Sequence, residues 1–111
     1  MKTLQEYRDE LVLIRDSPQK LADLALEAGA DYAYYIEQSG ELEIKRSEFL
    51  DAEKYRTTPP LSDKACENKW KVTADGQEDV RIHKRLKGLE KLMSIIKNAT
   101  VVATVSARNQ Y

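Results

Sequence analysis

Residues 21–50 read LADLALEAGADYAYYIEQSGELEIKRSEFL. Turned at about 100° per residue, Leu21, Leu24, Ala25, Ala28, Tyr32, Tyr35, Ile36, Ser39, Leu42, Phe49 and Leu50 fall on one side. The stripe crosses Gly29 and Gly40 without losing phase. A chain that leaves one helix and enters another resumes at an arbitrary rotation, so the retained phase predicts a single helix. Just upstream, Ser17 is a good N-cap and Pro18 a favoured first helical residue. The expected helix runs from Pro18 to about Arg56, on the order of 55–60 Å at 1.5 Å per residue. A bend at Ser39-Gly40 is the alternative, because each interior glycine costs roughly 1 kcal/mol against alanine.

Toward the N-terminus, Thr3-Leu4-Gln5-Glu6 has the form of a capping box. Leu4, Tyr7, Leu11 and Ile14 then predict a short amphipathic helix to about Arg15. On the other side, Thr57-Thr58-Pro59-Pro60 is the one clear break, since prolines lack the backbone donor and bias their predecessors away from helix. Ser62 is placed to cap a short helix over about 63–72, and Thr73-Ala74-Asp75-Gly76 reads as a turn. The last helix is expected over about 77–108. Its apolar seam is Ile82, Leu86, Leu89, Met93, Ile96, Thr100, Ala103 and Ala107, spaced in alternating fours and threes. That is heptad spacing, and it demands a partner helix. Residues 99–105, ATVVATV, are β-branched and apolar all round. They fit either a strand or a helix buried on every side, and the second option points to an oligomer that covers Val101, Val102 and Val105.

The 111 residues suggest one domain, 1–111. With 33% charged residues, Gly 4 and Pro 3, the composition suits charged helices with few breakers. The expected fold class is all-α, an elongated helical hairpin or bundle. Residues 1–56 carry a net charge of −5 and residues 57–111 a net +4, which favours antiparallel docking of the halves or of different copies. Met1-Lys2-Thr3-Leu4 enters a charged segment with no apolar core of a signal peptide. No run approaches the roughly 20 apolar residues of a bilayer span, so no membrane partner is expected. One cysteine, Cys66, allows no intrachain disulfide and fits a reducing compartment. The expected location is the cytoplasm.

No catalytic constellation is visible, and the chain reads as a non-enzyme without cofactor or metal. His83 sits among Arg81, Lys84, Arg85 and Lys87, a poor setting for a metal ligand. Cys66 has no Cys or His at metal spacing. The main candidate feature is the basic cluster Arg81, Lys84, Arg85, Lys87 and Lys91, opposed only by Glu90. Lys84, Lys87 and Lys91 stack at i, i+3 and i+7 opposite the seam, a row able to contact phosphates of nucleic acid. The alternative is that they pair with the acidic long helix or are simply solvated. Trp70, between Lys69 and Lys71, is either a base-stacking aromatic or the core anchor of its short helix. The second role is the expected one. Tyr34 and Tyr55 lie off the main stripe.

The order of these features resembles the UvsY family of phage recombination mediators. The resemblance rests on the short first helix, on Asp16-Ser17-Pro18-Gln19-Lys20-Leu21, on a long helix bearing Tyr32, Tyr35 and Ile36, and on a final heptad helix. Lys54-Tyr55-Arg56 matches the family's Lys-x-Arg spacing, with Thr57 where the family has leucine. The resemblance implies a helical protein that assembles into a ring, binds single-stranded DNA and helps a recombinase displace the single-strand-binding protein. It implies DNA contacts at Lys54 and Arg56, beside those expected at Lys84, Arg85, Lys87 and Lys91. The expected function is thus a homo-oligomeric single-stranded-DNA-binding mediator of recombination or replication, in the host cytoplasm if phage-encoded. The alternative is a small helical protein–protein module, an anti-defence inhibitor or virion assembly adaptor without DNA binding.

Overall fold

Hydroxyl caps set where the helices begin. In the computed structural model, which describes residues 1–109, Thr3 Oγ1 accepts the Glu6 amide at 3.1 Å and opens α1, Leu4–Ile14. The Ser17 carbonyl accepts the Leu21 amide at 3.0 Å at the start of α2, Pro18–Lys54, and Pro18 needs no donor there. Ser62 Oγ accepts the Ala65 amide at 3.1 Å and opens α3, Asp63–Lys71. The fourth helix, α4, spans Ala74–Asn109. No strand occurs among the described residues, and the all-α class expected from the sequence holds.

Three boundaries refine the sequence reading. The long helix α2 is unbroken through Ser39 and Gly40 and ends at Lys54, two residues before Arg56. The turn expected at Thr73-Ala74-Asp75-Gly76 is instead the first turn of α4. Thr73 makes this possible: its Oγ1 accepts the Gly76 amide at 3.0 Å while donating to the Trp70 carbonyl at 2.7 Å. One side chain thus ends α3 and caps α4. Residues 99–105 are helix, not strand. Thr100 and Thr104 return their hydroxyls to the carbonyls four residues back, each at 2.8 Å, which satisfies their polar groups within the helix.

The chain forms two compact units, Met1–Tyr34 with α4 from Arg85 onward, and Tyr35–Lys84. The first half of α2 thus shares a unit with the second part of α4, and the second half of α2 shares the other with α3 and the start of α4. In the first unit Tyr7, Leu21, Leu24, Ala28, Leu86, Leu89, Leu92 and Ile96 form the core. Each large side chain removed from water contributes roughly 1.5–3 kcal/mol. In the second unit Leu42, Cys66, Trp70 and Ile82 are buried, and Phe49 leans on Trp70 with ring centroids 5.6 Å apart. The predicted stripe and seam supply most of this core. Ile36 departs from its stripe and is 48% exposed.

Two glycines are fixed by close packing. A Cβ on Gly76 would collide with the Trp70 carbonyl, which is why the first turn of α4 can lie against the end of α3. A Cβ on Gly88 would collide with the side chain of Leu4, so the absence of one seats α1 on α4.

Candidate nucleic-acid interface

The cationic row on α4 is solvent-facing. Lys84, Lys87 and Lys91 are all exposed, and none has an ion pair among the described residues. The pairing with acidic α2 that the sequence left open is thus not made by these lysines. Helix geometry alone keeps the three on one face. Glu90, the one acid in the stretch, accepts the Tyr32 hydroxyl at 2.8 Å. That bond raises the Tyr32 phenol above its ordinary range and draws the carboxylate to the α2 side.

Arg85 has a different setting. Its guanidinium donates to the Lys2 carbonyl, and the residue is half-buried. It thereby ties the start of the chain to α4. Lys2 itself bridges two helices: its ammonium binds Glu10 of α1 and lies 2.7 Å from Glu27 of α2. Hydrogen bonding to Glu10 and then Glu27 raises its pKa.

Lys54 and Arg56 stand at the far end of α2 and just beyond it. Lys54 Nζ lies 3.5 Å from Asp63 and 5.8 Å from the Tyr55 ring centroid. Arg56 pairs with Glu53 at 3.3 Å. Glu53 also receives Lys69 at 3.2 Å, and this bond holds its carboxyl below the usual range. Both cations are therefore engaged with carboxylates, unlike the α4 row. Tyr55 is 70% exposed. Trp70 is 4% exposed and takes the core role, so it presents no ring for base stacking.

His83 is exposed and folds back on its own helix, with Nδ1 2.8 Å from the Asp79 carbonyl and 3.0 Å from Asp79 Oδ1. It borders a polar hollow of about 250 Å³ lined by Ser39, Glu43, Arg46, Asp79 and His83. Arg46 is tied to Glu67 of α3. The sequence reading did not single out this hollow. Its sequence signal was the spacing of Glu43 with Arg46 and of Asp79 with His83, common on any charged helix. No group of three His, Cys, Asp or Glu able to hold a metal occurs among the described residues. No helix there is long and apolar enough to cross a membrane. Cys66 is buried and forms no disulfide among the described residues.

The chain matches no protein-family model, no curated protein and no solved structure.

Proposed function

We propose that this protein is a non-enzymatic, homo-oligomeric binder of single-stranded DNA that acts as a mediator in recombination or replication, with Lys84, Lys87 and Lys91 as its principal phosphate contacts. The observation that carries the reading is the exposed row itself, three lysines on one face of α4 with no ion pair among the described residues. Phosphate binding gains from counterion release, and cations not already paired give the most. Lys54 and Arg56, each beside a carboxylate, contribute less, because binding must first displace that partner. Arg85, half-buried with its guanidinium tied to the Lys2 carbonyl, contributes less than the three lysines.

Self-association is part of the proposal, since a single row of three lysines gives a weak site and repetition of the row multiplies it. Val101 and Val105, 57% and 49% exposed on α4, supply apolar surface for contacts between copies. A recombinase and a single-strand-binding protein are the partners that this role requires, in the cytoplasm of the cell where the DNA is handled. Fluorescence anisotropy with a labelled oligonucleotide tests the reading. Binding at low salt that weakens as salt rises supports it, and no binding at low salt, or binding indifferent to salt, overturns it.

A further inference from the structure

Within the unit that holds α1 and the second part of α4, the two helices leave a groove of about 340 Å³ lined by Leu11, Val12, Arg15, Ile95, Ala99 and Val102, with Asn98 at its edge. The groove is open, not a filled seam: Val12 is 64% and Val102 65% exposed. We infer that it docks a short acidic amphipathic helix of a partner protein, whose apolar side chains enter the groove while its carboxylates meet a basic rim.

Charge complementarity selects this occupant. No carboxylate lines the groove, and Arg15 is its one charged residue. Arg8 lies one turn before Val12 and two before Arg15 on the same face of α1, and Lys91 lies one turn before Ile95 on α4. Arg8, Arg15 and Lys91 are exposed and have no ion pair among the described residues. Asp9, Glu10 and Glu90 are engaged by Gln5, Lys2 and Tyr32, while exposed Asp16 directly follows Arg15. The size is that of a slot for a few side chains, at the low end of the roughly 300–1,000 Å³ of ligand clefts. Two helices side by side form the groove, and a third helix with anchors at i, i+4 and i+7 fits that geometry. The inference shares Lys91 with the proposed DNA row, while Arg8, Arg15 and the apolar lining belong to the groove alone.

The test uses the full chain and a fluorescein-labelled peptide of about four helical turns, with Leu at i, i+4 and i+7 and Glu on the other face. Saturable binding is expected for this peptide, and at least about tenfold weaker binding when Lys replaces Glu or Ser replaces Leu. Val102→Lys and the double variant Arg8→Glu/Arg15→Glu should each weaken it about tenfold or more, with unchanged helical circular dichroism. Absence of peptide binding, equal binding of the control peptides, or indifference to both variants overturns the inference. So does a Val102→Lys variant that splits an assembly while the peptide binds neither form, since the occupant is then a second copy.

Discussion

The Tyr7 hydroxyl donates to Asp31 Oδ2 across 2.5 Å, and both residues are buried, at 0% and 9% exposure. Tyr7 comes from α1 and Asp31 from α2, so one hydrogen bond fixes the short helix to the long one. Tyr7→Phe removes the donor and leaves a buried carboxylate with one partner fewer. The expected loss is about 1–3 kcal/mol, read as a lower urea midpoint with unchanged slope.

The same pair dictates behaviour at alkaline pH. Burial, then the bond to Asp31, pushes the Tyr7 phenol well above its ordinary value of 10. The folded state therefore holds this proton more tightly than the unfolded state. The resulting stability is fully present below pH of about 10, the unfolded value, and is lost as pH rises toward the folded value. Urea midpoints should hold steady at mildly alkaline pH and fall above pH of about 10, and Tyr7→Phe should flatten that fall. An equally steep fall in the variant would assign it to other groups.

The four glycines should separate by sign. Gly29 and Gly40 lie inside α2 with nothing within 4 Å of an added Cβ, so Gly29→Ala and Gly40→Ala should each stabilise by about 0.5–1 kcal/mol. Gly76→Ala meets the Trp70 carbonyl, a backbone atom that cannot swing aside. It should destabilise by at least about 1–3 kcal/mol. Gly88→Ala meets only the flexible end of Leu4 and should cost less than Gly76→Ala. Thermal melts of the four variants check the order.

Val101 and Val105 face solvent on α4, and self-association through them predicts a solution mass that is a multiple of the 12.7 kDa chain. Light scattering should show that multiple. Val101→Glu/Val105→Glu should reduce it toward the single-chain mass, because burying two carboxylates at an apolar contact costs more than the contact gains.

Legibility in the sequence followed periodicity. Leu21, Leu24 and Ala28 of the long stripe and Ile82, Leu86, Leu89 and Ile96 of the seam are buried as their spacing requires. Continuity through Gly40 was readable because phase survives an interior glycine. The start of α4 was not readable. Thr73-Ala74-Asp75-Gly76 carries turn residues, and the Thr73 cap puts Gly76 in a helix while the close approach of Trp70 requires that it be glycine. The all-round apolar 99–105 segment was ambiguous for a similar reason, since the hydroxyl bonds of Thr100 and Thr104 that suit it to a helix are local geometry. In the basic cluster, spacing located the lysine row, but it could not separate Arg85, which turns to the Lys2 carbonyl, from Lys84 and Lys87 beside it. The groove of Leu11, Val12, Ile95 and Val102 joins residues more than eighty positions apart, and no local pattern announces it.

DNA binding through the α4 row is tested most directly by the salt dependence of oligonucleotide affinity. Each phosphate contact with a single strand contributes about −0.7 to the slope of log K against log salt. Lys84→Gln/Lys87→Gln/Lys91→Gln removes three charges per chain from exposed positions and should leave the fold intact. The expected result is a wild-type chain that binds a labelled oligothymidylate at low salt, and a triple variant that binds more weakly with a slope shallower by about 2 per chain engaged. A wild-type chain that does not bind, or a triple variant with the wild-type affinity and slope, contradicts it.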